Sequence, residues 1–175
     1  MISRLILSII FVAWHPSAPI LHAQEMGQAS PDVQQIDDVS RLRICVEGDG
    51  ADSRRCVGHV ARICEKESLE TQRALAAMEC YGREAQAWED LVTQRFQILL
   101  LWAEQQDSQV ARDGDRNAVA TLRAAQETWL SYRNAELDRF LAIRASAASD
   151  WRAADLERRK SELLASRFFD LSLDQ

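Results

Sequence analysis

The strongest constraint on the fold is a run of large apolar side chains that recurs every three or four residues through the middle of the chain. Its members are Met78, Tyr81, Ala85, Trp88, Val92, Phe96, Leu99 and Trp102. This spacing places all of them on one face of an α-helix, and no β-strand would align them. We therefore predict a helix from about Thr71 to Asp107, roughly 55 Å long at 1.5 Å per residue.

A second apolar stripe predicts a helix that returns along the first. Asp113-Gly114-Asp115 is typical of a turn, because glycine suits the left-handed position that ends a helix. The stripe after this turn contains Val119, Leu122, Trp129, Leu137 and Phe140. A short turn between two such stripes predicts a long antiparallel hairpin. Counting outward from the turn places Trp129 in the core, against residues 98–102.

The remaining segments also have helical patterns. Two short helices are expected between Ile36 and Lys66, joined at Gly48-Asp49-Gly50, with Ser53 as a candidate cap of the second. The pattern is interrupted at Ser146–Ser149, and a final helix is predicted from a stripe containing Trp151, Leu156, Leu163, Leu164, Phe168 and Leu171. The fold class is therefore all-α. We expect one domain over residues 36–175, a small bundle built on the hairpin.

The first residues have the order of a secretory signal peptide. Arg4 precedes an apolar run from Leu5 to Trp14, and a more polar stretch ends in Leu21-His22-Ala23. The apolar run is about half the ~20 residues that span a bilayer, which disfavours a membrane anchor; a buried strand is the other alternative. We predict a signal peptide over residues 1–23, a flexible lead-in over 24–35, and a periplasmic or secreted protein. No cysteine follows the expected cleavage site, so a lipid anchor is not expected.

The charge balance narrows the class of partner. The chain has 21 basic and 27 acidic residues, a formal charge of -6. Residues 1–23 contain Arg4 and no acid, so the mature chain would have 20 basic and 27 acidic residues, a charge of -7. An acidic surface disfavours nucleic acid and anionic membranes and favours a cationic protein partner. Solubility alone is an equally good explanation of the charge.

Four cysteines remain in the mature chain, at Cys45, Cys56, Cys64 and Cys80. An even number behind an export signal predicts two disulfides. Zinc is disfavoured, because the chain has no C-x-x-C pair and His59 is the only mature histidine. If residues 56–64 form one helix, their ends are about 12 Å apart, beyond the ~7 Å limit for bridged Cα atoms. Two pairings remain open: 45–56 with 64–80, and 45–64 with 56–80.

Enzymatic activity is not predicted. His59 lies alone among disulfide cysteines and is interpreted as a surface residue, so a Ser or Cys nucleophile lacks its usual base. The chain has no phosphate-binding loop, no G-x-G-x-x-G and no H-E-x-x-H, and no cofactor is expected. A hydrolase that uses paired carboxylates is the remaining enzyme hypothesis, but no acid lies in a loop that would form a cleft.

Polar residues within the second stripe are the candidate site. Gln126 and Arg133 are one heptad apart and flank Trp129. A half-buried guanidinium needs a partner, and the facing helix offers Glu89, Asp90 and, farther away, Glu84. The residues form either a polar clamp that sets the helix register or a site for a protein partner. A clamp predicts that Arg133→Met costs roughly 3–5 kcal/mol.

Three motifs give the chain a family resemblance. L-R-x-A-Q-x-x-W-L-x-Y-R-x-A-E at Leu122–Glu136 resembles the hallmark of the LprI-like lysozyme-inhibitor family of exported bacterial proteins. Cys80-x-x-x-Glu84-x-x-x-Trp88-Glu89 and Arg167–Leu171 are similar to that family's flanking motifs. The residues carried over are Glu84, Glu89, Gln126, Trp129, Arg133 and Glu136. The resemblance also favours pairing Cys64 with Cys80, and so Cys45 with Cys56.

The resemblance implies inhibition of a cationic lysozyme by occlusion of its cleft. An envelope interaction module without inhibitory activity is the alternative. The chain departs from the family pattern at Leu137, which replaces a frequent cysteine, and a second, late cysteine is missing too. Ala and Ser replace the usual glycine-rich loop around Ala145–Ser149.

Overall fold

The computed structural model describes residues 36–49, 54–110, 117–144 and 150–172, and within these ranges the chain is helical with no strand. The helices are α1 (Asp38–Asp49), α2 (His59–Glu67), α3 (Arg73–Val110), α4 (Ala118–Arg144) and α5 (Arg152–Ser172). The prediction of an all-α fold is confirmed. The predicted signal peptide and lead-in, Ser53, the Asp113–Asp115 turn and the Ser146–Ser149 interruption fall outside the described ranges. Within those ranges, no helix combines the length and apolarity that a bilayer crossing needs.

α3, α4 and α5 run alternately up, down and up. The Asp107 carboxylate near the end of α3 accepts hydrogen bonds from the Ala118 and Val119 N–H groups, which begin α4, so α3 and α4 are antiparallel. Between α3 and α5, residue numbers instead rise together: Glu84 bonds Ser161, and Arg95 bonds Ser172 farther along both helices. α5 is therefore parallel to α3.

The core lies mainly between α3 and α5, and this differs from the core that the hairpin predicted. Trp88 of α3 is fully buried, with the Phe168 and Phe169 rings of α5 at 5.6 and 5.7 Å between centroids. Small buried side chains let the two helices approach closely: Ala85 on α3, and Ala154, Ser161 and Ala165 on α5. α4 has no fully buried residue. The antiparallel hairpin exists, but α4 covers one side of the α3–α5 pair.

The N-terminal helices are attached to α3 by disulfides and polar contacts. Cys45 pairs with Cys56 and Cys64 with Cys80, with Cα atoms 5.9 and 5.4 Å apart. The predicted disulfide-bonded pair of short helices is therefore confirmed. α1 continues through Gly48 to Asp49, so its end differs from the predicted turn. α2 starts after Gly58, whose φ of 79° is a left-handed value that glycine adopts without strain.

Candidate functional site

Trp129 is the centre of a cluster between α4 and α5. The Arg133 and Arg167 guanidiniums each lie 5.5 Å from the centre of its ring. The ring packs against the edge of the core but is only half-buried, so the prediction that Trp129 is a core residue was too strong. The reason is that α4 lies on the flank of the α3–α5 pair. Cation–π contact of this kind favours a flat guanidinium over the ring face.

Gln126 holds the second of these arginines. Its Oε1 accepts hydrogen bonds from Arg167 Nε at 3.1 Å and Nη2 at 2.8 Å. One amide oxygen thus receives two donors of the guanidinium and sets its position beside Trp129. Gln126 and Arg167 therefore join α4 to α5, whereas the sequence placed Gln126 only beside Trp129.

Arg133 joins α4 to α3. Its Nη1 donates to Glu89 Oε1 at 3.1 Å, and Lys160 Nζ of α5 lies 3.9 Å from Glu89 Oε2. The Arg133 side chain is 16% exposed and that of Glu89 is 37% exposed, so solvent screens the pair. Asp90, the other near candidate, accepts a hydrogen bond from Gln86.

Glu136 is bound by arginines from two helices. Arg139 Nε and Nη2 donate to its two oxygens at 2.7 Å each, and Arg159 Nη2 of α5 donates at 2.8 Å. Hydrogen bonds from Arg139 and then Arg159 lower the pKa of Glu136 to about 2. The same bonds raise the pKa of both arginines. Glu136 therefore stays ionised and cannot serve as a proton donor near neutral pH.

Glu84 lies apart from Arg133 and performs a different task. Its carboxylate is fully buried and accepts the main-chain N–H groups of Gly58 at 2.6 Å and Ala61 at 2.9 Å. These are the N-cap and third residues of α2, the two donors that a capping box satisfies from within a helix. The negative charge also suits the positive end of the helix dipole. Glu84 is thus an N-cap supplied by another helix.

Two further donors complete the Glu84 site. Trp88 Nε1 donates at 3.2 Å and Ser161 Oγ at 2.9 Å. Glu84 therefore connects α2, α3 and α5, and it is not a partner of Arg133 as the sequence had suggested. The role of Ser161 was not predicted, although a serine within the apolar stripe of α5 is the signal that could have indicated it.

The three predicted glutamates all contribute to the packing of the helices. Glu84, Glu89 and Glu136 each receive donors from neighbouring helices, so they act as anchors of the bundle. His59 is half-buried as the first residue of α2, which corrects its interpretation as a surface residue. Across the described ranges, no group of three or more His, Cys, Asp or Glu is arranged to hold a metal ion.

The sequence profile of the family described as lysozyme inhibitor LprI matches residues 64–163, which is more than half of the chain. This chain belongs to the lysozyme inhibitor LprI family. The matched region of this LprI-family chain contains all six residues predicted to form a polar clamp or a partner site, whereas Arg167 lies beyond its end. Searches of curated proteins and of solved structures gave no match.

Proposed function

We propose that the mature protein is exported, binds a lysozyme-type glycosidase and inhibits it by covering its substrate cleft. The family supports an inhibitor, and the signal-like residues 1–23 support export. We infer that residues 36–175 then fold as one domain. The observation that carries the proposal structurally is an exposed apolar surface on the distal half of α3. An inhibitor of this kind needs a contact surface and no catalytic groups of its own.

This surface, the distal patch, consists of Ile98, Leu101 and Trp102. Their exposed fractions are 42%, 64% and 49%. The steps of three and four residues place them on one face of α3. The sequence predicted Trp102 as core, because it continues the stripe from Leu99. Ser172, in the last turn of α5, contacts Arg95, which lies one turn before the patch on α3.

A cavity lies directly beside the distal patch, so the exposed surface includes a concave region as well as the patch itself. The cavity is about 280 Å³ and lies between α1, α3 and α5. Ile98 belongs to both the patch and the cavity wall, and Val46, Leu91 and Phe168 supply the other apolar lining. Tight protein interfaces are centred on an aromatic or arginine side chain in a well-packed pocket. Trp102 can insert into a pocket of the partner as an anchor. The cavity can in turn receive an anchor side chain from the partner.

Charge supports a cationic partner. The chain carries a formal charge of -6, and α3 beyond Arg95 carries Glu104 and Asp107 with no basic residue through Val110. Long-range attraction of this kind raises the association rate of a basic protein, and it weakens as salt screens it. Inhibition should therefore decline at higher ionic strength.

The experiment is a titration of lysozyme activity with the purified mature protein at low and high salt. Trp102→Ala should weaken inhibition by at least about tenfold, the loss expected of a central interface anchor. The matched control is Trp151→Ala, since Trp151 is 46% exposed and lies beside Ala76, about 40 Å from Trp102 along α3. No inhibition by the parent protein, or equal effects of the two substitutions, would refute the proposal. Binding without inhibition would favour an envelope interaction module instead.

A further inference from the structure

A cavity of about 320 Å³ lies between the last turns of α4 and the first turns of α5. Four arginines line it, and we name it the arginine pocket: Arg139 and Arg144 from α4, Arg158 and Arg159 from α5. Such a concentration of guanidiniums is a local reversal of charge in a chain whose formal charge is -6. The pocket is separate from the distal patch and from Trp129.

Carboxylates balance the arginines only in part. Asp155 accepts one hydrogen bond from Arg144 Nη1 at 2.6 Å and one from Arg158 Nη2 at 2.9 Å. Glu162 accepts from Arg159 Nη1 at 3.2 Å. With Glu136, which binds Arg139 and Arg159, three carboxylates face four guanidiniums. One positive charge is in excess, and each guanidinium has five N–H donors to distribute.

The pocket holds its arginines in place while leaving them accessible. The Arg144 guanidinium lies 4.9 Å from the centre of the Phe140 ring, which also lines the pocket. Stacking and the shared Asp155 restrict Arg144 and Arg158, so less side-chain entropy is lost when a ligand binds. Both side chains are about half exposed, so a solute can reach them.

We propose that the arginine pocket binds the oxyanion group of a small solute, a phosphate or a carboxylate, with Arg144 and Arg158 as its principal donors. The planar fork of a guanidinium matches both groups through paired hydrogen bonds. The Phe140 ring offers an apolar wall for the carbon atoms that carry the group. This binding site is independent of lysozyme inhibition.

Titration calorimetry and thermal unfolding with inorganic phosphate test the proposal, with sodium chloride added to equalise ionic strength. Saturating phosphate should raise the melting temperature by at least about 2 °C. Arg144→Gln and Arg158→Gln should each weaken phosphate binding by about fivefold or more. Arg123→Gln is the matched control, because this exposed arginine lies on α4 about 30 Å from Arg144. The same measurements with succinate in place of phosphate show whether the site prefers a carboxylate or a phosphate.

The outcomes separate a binding site from a network that only joins α4 to α5. A site requires that each of the two pocket substitutions weakens the binding of phosphate or succinate by about fivefold or more, while the control keeps the parent's affinity. The proposal is overturned if neither anion binds the parent, or if Arg123→Gln lowers the effect as much as Arg144→Gln. It is also overturned if both pocket variants, folded by circular dichroism, keep the parent's affinity.

Discussion

Ser161 donates a hydrogen bond to Glu84 across the interface of α3 and α5, and both side chains are fully buried. The same carboxylate receives the donors of Gly58, Ala61 and Trp88. A buried acceptor with four donors from three helices fixes their relative positions. It also makes the bundle sensitive to the loss of one side chain.

Glu84→Ala should lower the free energy of unfolding by roughly 4 kcal/mol or more, because each buried donor left unsatisfied costs about 1–3 kcal/mol. Ser161→Ala removes one donor and leaves the acceptor satisfied, so it should cost only about 1 kcal/mol. Urea unfolding of both variants checks this. Equal losses for Glu84→Ala and Ser161→Ala would show that the carboxylate does not organise the site.

Arg133→Met should cost about 1–2 kcal/mol, less than the 3–5 kcal/mol expected for a fully buried pair. The cost is smaller because Glu89 is 37% exposed and can be solvated in the variant. Glu89 would also still have Lys160 as a cationic neighbour, 3.9 Å away. Part of the loss comes from the contact with Trp129. A double-mutant cycle with Glu89→Gln measures the coupling. A loss above about 3 kcal/mol would mean that Glu89 is desolvated in solution.

Trp88→Ala and Trp129→Ala form a matched pair on two helices. Trp88 is fully buried between α3 and α5, so its truncation should cost roughly 3–5 kcal/mol. Trp129 is half-buried, and its truncation should cost about half as much. Chemical denaturation ranks the two variants. If Trp129→Ala proved the more destabilising, α4 would contribute more to the core than its exposure indicates.

Free-thiol labelling of the unfolded, unreduced protein should detect no thiol among Cys45, Cys56, Cys64 and Cys80. Replacing Cys64 and Cys80 together with serine should cost roughly 3 kcal/mol, the value for a loop of about 15 residues. Peptide mapping by mass spectrometry assigns the pairs. Any peptide that links Cys45 to Cys64 would contradict the observed connectivity.

Glu136 should make stability depend on pH in the acid range. Its folded-state pKa of about 2 lies below the ordinary 4.5, so between these values the unfolded chain binds more protons. The contribution of Glu136 is therefore complete above about pH 5 and disappears as the pH falls towards 2. Unfolding at a series of pH values should show a shallower acid slope for Glu136→Gln. An unchanged slope would mean that Arg139 and Arg159 do not hold the carboxylate in solution.

Local patterns were sufficient to predict most of the fold. The stripe through Trp88 and Leu99 located α3, and the four cysteines behind a predicted export signal indicated the disulfides. Hairpin counting placed Glu89 near Arg133, because a short turn between two helices leaves few possible registers. These features depend on neighbours in the sequence or on simple geometry.

Features that depend on how helices dock could not be predicted in the same way. In the sequence, Glu84 is a candidate partner of Arg133; only the structure shows that the N-terminus of α2 lies against it. The choice of α5 over α4 as the main partner of α3 depends on small side chains at Ala154, Ser161 and Ala165, which share one face at helical spacing. That pattern was present in the sequence, but it identifies the helix that packs on α5 only once the matching surface around Ala85 is known.

The supply of the α2 cap by Glu84 has a consequence for the order of events during synthesis. A chain that grows from its N-terminus exposes the α2 segment before Glu84 has been added. A segment of nine residues is too short to remain helical in water without tertiary support. The first turn of α2 therefore cannot form stably until α3 has been synthesised. The Cys64–Cys80 disulfide also requires α3, which contains Cys80. Cys45 and Cys56 are both available to an oxidant earlier. The two disulfides should thus appear one after the other on a nascent chain.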